Sequence, residues 1–412
     1  MLSRRALVIN LPAAALAASY AGRAFAADKT VSVGMDLSLT GADASDAALV
    51  KDGAMLAFDQ ANAKGGVGGY KINVVVLDDG TATAGQYDPA QGATNARKMV
   101  ADDSVVAAIG PQMSGVGKAM APILSQGGLA TITPSSTNPD ITDPKFAAQF
   151  MPGGKPIYFR TVTTDAFQGP NMANFFADSL HVKSVYILDD SGAYGVGIAN
   201  AFEAEAKKRG IKVLGHDQLN PKEADYSTVM TKIKGLSPDS LYYGGVAQAG
   251  VKVVKESYSI LGPKILRGGG DGTYGAEILK GAGFPAAQGW YATIAAPNIV
   301  TNPAAASFVK DFNEKYGKQP ENYSITAYDG ALVILDAIKR VAASGKSVNR
   351  ANVRDAIQTG QVQTVQGLVS FDKNGDITNR IVSVFQIEED KKFPPDDVLH
   401  QYKYIGVAPQ SA

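Results

Sequence analysis

The chain has 412 residues, 39 of them basic and 39 acidic, with three histidines and no cysteine. No basic block stands out, which disfavours nucleic acid and anionic lipid as partners. The missing cysteines exclude disulfides and a lipid carried on an N-terminal Cys, and the length is enough for about two domains.

Residues 1–26 read as a leader rather than as part of the fold. Arg4 and Arg5 open it, an Ala-rich apolar stretch runs from Ala6 to Ala18, and Ala24-Phe25-Ala26 has the small-x-small pattern of a cleavage site. The stretch is too short for a membrane anchor. The paired arginines suit a twin-arginine signal as well as an ordinary one. Without Arg4, Arg5 and Arg23 the balance is 36 basic against 39 acidic residues, a net charge near −3. The expected address is the periplasm, with no lipid anchor.

Strand-like and helix-like runs then alternate. Val31–Met35 reads as a strand, 46–63 as a helix closed by Gly65–Gly69, and Ile72–Leu77 as a second strand. A helix over 86–102, a strand at Val105–Ile109, a helix over 115–126 and a strand at Leu129–Ile132 follow. The alternation predicts a parallel, doubly wound sheet. It restarts with strands at Ser184–Leu188, Ile211–Gly215, Ser240–Tyr243 and Lys264–Leu266, separated by helices over 195–209, 226–235 and 247–261. Helices over 303–316, 322–343 and 349–358 come next, and strand-like Leu368–Phe371 and Ile381–Ile387 close the chain. A helical region after the second α/β unit fits best if the chain returns to complete the first lobe.

Little in the chain suggests catalysis. His181, His216 and His400 stand far apart in different settings, which speaks against a His-based metal site or triad. Gly195-x-Gly197 lacks the third glycine of a dinucleotide fingerprint, having Asn200 there, and no Gly-Lys-Ser/Thr phosphate loop is present. Asp372-Lys373-Asn374-Gly375-Asp376 opens like a calcium loop but has Ser383 at the position of the closing Glu, so it reads as a hairpin turn at Asn374-Gly375. No cofactor and no metal are expected.

The loops that follow strands carry more. Thr133-Pro134-Ser135-Ser136-Thr137 places hydroxyls just past a buried strand, either as an ordinary turn or as a ligand loop at the sheet's carboxyl edge. Ser114 begins a helix, either as a cap or as part of an anion site. Asp271 follows Gly268-Gly269-Gly270, either capping a helix over 273–280 or facing a ligand. An anion site, hydroxyls and a lone carboxylate together would suit a zwitterion.

Spread along the chain, Leu39-Thr40-Gly41, Asn62-Ala63-Lys64-Gly65-Gly66-Val67, Ile132-Thr133-Pro134, Phe159-Arg160-Thr161, Gln168-Gly169-Pro170, Ala193-Tyr194-Gly195, Tyr242-Tyr243-Gly244-Gly245 and Ala327-Tyr328-Asp329-Gly330 make a pattern. In order and spacing it resembles the periplasmic substrate-binding proteins of branched-chain amino acid ABC transporters, over nearly all of the chain past the leader. The resemblance implies a two-lobed type I periplasmic binding protein fold, α/β, each lobe a doubly wound and mainly parallel sheet, with three crossing segments near 160–166, 292–298 and 380–384. The lobes would be 27–162 with 296–381, and 163–295 with 382–412. It implies a non-enzymatic receptor, working as a monomer, that takes an amino acid of branched-chain or more polar type and delivers it to a permease in the inner membrane. A carboxylate or amide without an α-amine, or a ligand-sensing role, is the alternative.

By position, the resemblance assigns the ligand carboxylate to Ser114, with help from the Ser135 backbone, and both carboxylate and amine to Thr137. Ser136 belongs to the same run without an assigned side-chain contact. Asp271 stands where the family has an acid for the α-ammonium, and Tyr194 and Tyr323 match aromatic pocket positions. Two positions depart. Asp46 replaces an aromatic wall, and Val246 replaces a Tyr. Asp46 either suits a polar, amide or cationic side chain or faces water and caps the helix at 47–63. The segment from Phe146 to Lys155 has no place in the family pattern and is expected to reshape the cleft rim.

Overall fold

The computed structural model describes residues 29–298 and 302–410; the leader read at 1–26 lies outside them. Two sheets organise the chain. The first contains β1 (Lys29–Leu37), β2 (Tyr70–Asp78), β3 (Val105–Ile109), β4 (Thr131–Thr133) and β5 (Tyr158–Arg160). Their order is β2-β1-β3-β4-β5, and every neighbouring pair is parallel. The second contains β6 (Ser184–Asp189), β7 (Lys212–Gln218), β8 (Ser240–Gly244), β9 (Leu266–Gly269), β10 (Trp290–Ile294), β11 (Ser383–Ile387) and β12 (Tyr402–Val407). Its order is β12-β11-β10-β9-β8-β6-β7, parallel from β7 to β10 and antiparallel at β11 and β12.

Helices cover both faces of each sheet, so the strands read as continuous apolar runs. On the first sheet, α1 (Ala44–Ala63) packs on one face, and α2 (Pro89–Ala101) and α3 (Ser114–Gln126) pack on the other. The second sheet carries α4 (Asp165–Asp178) and α5 (Ala193–Lys208) on one face. Its other face carries α6 (Ser227–Leu236), α7 (Ala247–Glu256) and α8 (Ala276–Ala282). The chain then returns to the first sheet with α9 (Ala306–Tyr316), α10 (Asn322–Ala343) and α11 (Arg350–Gln358). Ile334 and Ile338 of α10 share a core with Val33 and Met35 of β1 and Ala54 of α1. Each sheet with its helices is one lobe.

The strand order reverses direction between β1 and β3 in lobe 1, and between β6 and β8 in lobe 2. Loops at such switch points part and leave a crevice at the carboxyl ends of the strands. Gly110 makes the turn after β3. It has φ +102°, and a side chain there would stand 2.1 Å from the Asp36 carbonyl oxygen. Three segments cross between the lobes, and they bond to one another. Thr163 N–H donates to Ala295 O at 2.8 Å, Ser383 Oγ donates to Ala296 O at 2.8 Å, and Arg160 N–H donates to Gly375 O at 3.2 Å.

Several elements differ from the sequence reading. β5 is not among the strands expected from the pattern, and β12 extends the second sheet beyond the last expected strand. The run after Asp271 is a single 3₁₀ turn, and α8 starts only at Ala276. The segment 146–155 does not form the cleft rim: Phe146 and Phe150 pack with Leu124 and Ile157 on the flank of α3, and Gly153 N–H donates to Ser125 Oγ at 2.9 Å.

Arg160, at the end of β5, is fully buried. Its Nε pairs with Asp376 at 2.8 Å, Nη1 donates to Ser136 O at 2.6 Å, and Nη2 donates to Asn138 O at 2.8 Å and to Thr142 Oγ1 at 3.1 Å. One guanidinium therefore ties the hydroxyl loop after β4 to the lobe 1 turn that leads into the third crossing segment. Removing it takes the charged donor from Asp376, which keeps only Thr142 Oγ1 among the described residues, and the donor from two buried carbonyls, a loss of about 3–5 kcal/mol. Arg160→Met is expected to lower unfolding free energy by roughly that amount in denaturant titration. Arg160→Lys is expected to recover little of it, because an ammonium cannot reach all four acceptors.

Candidate ligand-binding cleft

The loops at the two switch points enclose a cavity between the lobes, with about 60 Å³ open to water centres. That is room for roughly four to six waters, the scale of a small metabolite rather than a long chain. Of the nine residues singled out in the sequence, Asp46, Ser114, Ser135, Tyr194, Val246, Asp271 and Tyr323 line it. Ser136 and Thr137 are buried just behind that wall.

Ser114 is the first residue of α3, whose cap residue Met113 offers no side-chain acceptor. The leading N–H groups of the helix therefore have no acceptor of their own and favour an anion. Ser114 Oγ accepts from Asn138 N–H at 3.2 Å and from Ser136 Oγ at 3.3 Å. Both lone pairs are thus engaged, and the hydroxyl proton is left to donate into the cavity. Tyr158 OH donates to Ser136 Oγ at 2.9 Å, so a chain of hydroxyls runs from the core to Ser114. Ser136, to which the resemblance assigns no side-chain contact, orients Ser114. Ser135 Oγ donates to Gln112 O at 3.0 Å, and its N–H donates to Thr133 Oγ1 at 3.3 Å, so the Ser135 N–H expected to serve a ligand already has an acceptor. Thr137 Oγ1 is buried, with the Asp165 carboxyl as its near polar neighbour.

Across the cleft, Asp271 follows β9 and does not cap α8. Its Oδ1 accepts from Tyr194 OH and from Gln168 Nε2, each at 2.6 Å, and Oδ2 accepts from Tyr323 OH at 2.6 Å. Tyr194 reaches it because Gly270 has no side chain; a Cβ there would lie 2.3 Å from the phenol oxygen. Among the described residues, no lysine or arginine pairs with Asp271. Burial raises its carboxyl, while three donors hold the charged form. Neighbouring Asp165, buried and close to that charge, is pushed up to about 8 and keeps its proton instead. One lone pair of Asp271 Oδ2 remains for a further donor.

The chain belongs to the periplasmic binding protein family. The family model described as "Periplasmic binding protein" matches residues 30–392. The chain is 30% identical over 375 residues to Leu/Ile/Val-binding protein homolog 3 of Brucella melitensis, covering 91% of this chain and 96% of that one. It is 28% identical over 382 residues to the leucine-, isoleucine-, valine-, threonine- and alanine-binding protein of Pseudomonas aeruginosa, covering 92% and 96%. A leucine-binding protein of Thermotoga maritima superposes with a TM-score of 0.78 at 26% identity, over 92% of this chain and 98% of that one. The fold is the type I fold of this family, two mainly parallel α/β lobes closing on a cleft.

The lobes touch across the cleft. Tyr323 of α10 reaches Asp271, Asn138 Nδ2 donates to Ala193 O at 2.8 Å, Asn322 Nδ2 donates to Tyr274 OH at 3.1 Å, and Ser45 Oγ donates to Glu277 at 2.5 Å. This is a closed arrangement. Asp46 lies in it on α1 and does not cap that helix. Its Oδ1 is buried without a partner, and its other oxygen stands 2.7 Å from where a Cβ of Gly275 in lobe 2 would be. Gln112, Asp43, Tyr274 and Glu321 also line the cavity and were not selected from the sequence. Gln112 and Asp43 sit in the two lobe 1 switch-point loops, where the topology rule would have found them. Glu321 arrives on the returning chain, where no local pattern marks it.

Burial, the facing Asp190 and Asp79 and the nearby Glu277 push Asp43 up to about 7, and burial with Asp43 and Glu277 pushes Asp46 up to about 7; Lys280 opposes the shift of Asp46. Opening would return both toward the ordinary carboxyl value near 4. A carboxyl raised in the closed form favours closure below its open-state value and loses that contribution as pH rises through the closed-form value. The unliganded protein is therefore expected to be more compact at pH 5 than at pH 8 by X-ray scattering. Asp43→Asn with Asp46→Asn should flatten that dependence.

Proposed function

We propose that this chain is the solute receptor of an ABC importer and that it captures a free α-amino acid by closing two lobes over it. The observation that carries the reading is Asp271, a buried carboxylate with a lone pair to spare and no ion-paired lysine or arginine among the described residues, lining the same cavity as the uncapped start of α3. A zwitterion brings the missing cation to Asp271 and an anion to Ser114 and the N–H groups behind it. Thr137, whose buried hydroxyl neighbours Asp165, is the third contact and touches both ends. Ser135 contributes to the wall, and Tyr194 and Tyr323 hold Asp271 while packing against the ligand's backbone.

The lobes part near 162, 295 and 381 and move about the three crossing segments. Ligand contacts made only in the closed form drive the motion. Exported by its leader to the periplasm and working there as a monomer, the protein hands its ligand to a membrane permease without changing it chemically. No described helix is long and apolar enough to cross a membrane.

Isothermal titration of α-amino acids against their deaminated analogues tests the reading. Asp271→Asn keeps the shape and removes the charge, so affinity for the amino acid is expected to fall at least about 30-fold. The analogue should bind weakly to both proteins. Equal affinity of amino acid and analogue, or an unaltered Asp271→Asn, would contradict the ammonium role and leave a carboxylate or amide without an α-amine as the ligand.

A further inference from the structure

Relative to the contacts proposed for the amino-acid backbone, the rest of the cavity is unusual. Leu49, Val50, Met113 and Ile294 supply an apolar wall suited to an aliphatic stem. Among them stand three more carboxyls, Asp43, Asp46 and Glu321. They are not independent. Asp43 acts on Asp46, and Asp46 acts on Glu321, in each case opposing ionisation, as burial does.

Local protein partners account for little of this charge. Glu321 accepts from the Ser324 N–H at the start of α10, and among the described residues Asp43 accepts only a long bond, 3.4 Å, from Tyr87 N–H. Asp46 Oδ1 has no partner among the described residues. Lys280 and Lys318 act on the cluster from outside. Lys280 is 3.9 Å from Glu277 and 3.7 Å from Asp396, and Lys318 pairs with Asp52 at 2.8 Å, so their ammonium groups are committed elsewhere. An independent observation points the same way. Gln112 is 7% exposed and lines the cavity, and its Oε1 has no hydrogen-bond partner among the described residues. A neutral acceptor and a carboxylate oxygen are therefore both unfilled in one small space, and both call for donors.

A purely aliphatic side chain would bury these groups without compensating any of them. A neutral amide would fill acceptors but leave the mutual repulsion of the carboxyls. An ammonium or guanidinium does both, and its methylene stem suits the apolar wall. Val246, where the family resemblance has a tyrosine, removes bulk from the same wall and leaves length for such a stem.

We propose that the ligand is a basic α-amino acid, with its side-chain cation held by Asp46, Asp43 and Glu321 and by the Gln112 amide oxygen. This rests on the amino-acid reading above and adds the identity of the side chain.

Two matched pairs test it by isothermal titration: lysine against norleucine, which lacks only the terminal ammonium, and arginine against citrulline, its neutral isostere. At least one cation is expected to bind tenfold or more tightly than its neutral partner. Asp46→Asn should cut that ratio at least fivefold, chiefly through weaker binding of the cation. If norleucine, leucine or citrulline binds as well as or better than lysine and arginine, the side-chain proposal is overturned while the amino-acid reading stands. If no α-amino acid binds and a deaminated acid or amide does, both fall together.

Discussion

Carboxylates shut into a closing cleft without a cation from the protein are the constraint around which this molecule is arranged. In the open form water can solvate Asp271, Asp46 and Asp43. Closure removes that water, and a buried ion is costly unless something charged or strongly hydrogen-bonded replaces it. Tyr194, Tyr323 and Gln168 supply part of the replacement at Asp271. On the proposed reading the remainder comes from the ligand, so closure and capture become one event. A ligand without the matching cation gains little from the closed form and shifts the equilibrium little.

The opposite wall works by a different kind of preorganisation. There the groups are neutral, and what matters is where their protons point. Arg160 pins the backbone carbonyls of Ser136 and Asn138, Asn138 N–H and Ser136 Oγ fill the Ser114 oxygen, and Tyr158 fills Ser136 in turn. The result is a hydroxyl with one free proton at the start of a helix that no side chain caps. Because Asp376, in the lobe 1 turn just before the third crossing segment, shares the same guanidinium, the anion wall is tied to the approach to the hinge. A buried ion pair of this kind adds little to stability compared with an apolar pair, but it specifies one geometry.

Much of this was legible from sequence, and the gaps have physical causes. The alternation of β-rich runs and amphipathic segments reveals two doubly wound units, because period and punctuation are local properties. β5 escapes because its three residues, Tyr158–Arg160, are too few to show a period and end in a charged residue. β12 escapes because Lys403 and exposed Tyr404 and Ile405 face outward at a sheet edge, so it lacks the apolar look of the inner strands. The hydroxyl run and Asp271 were found as chemistry at strand ends, yet the inner partners were not. Nothing local says that Ser136 serves Ser114, that Gln112 leaves an oxygen unfilled, or that Arg160 is fully buried, a rare place for a guanidinium. The two readings of Asp46 could not be separated until its orientation relative to lobe 2 was known. Those facts depend on residues that meet only when distant parts of the chain close over one cavity.

The central claim is that a cation absent from the protein completes Asp271. A crystal structure of the protein with a bound α-amino acid tests it most directly. The account predicts the ligand's ammonium nitrogen within about 2.7–2.9 Å of an Asp271 carboxylate oxygen, with the ligand's carboxylate at Ser114 and the start of α3. A bound ligand whose ammonium lies away from Asp271, with that carboxylate still satisfied only by Tyr194, Tyr323 and Gln168, would contradict it.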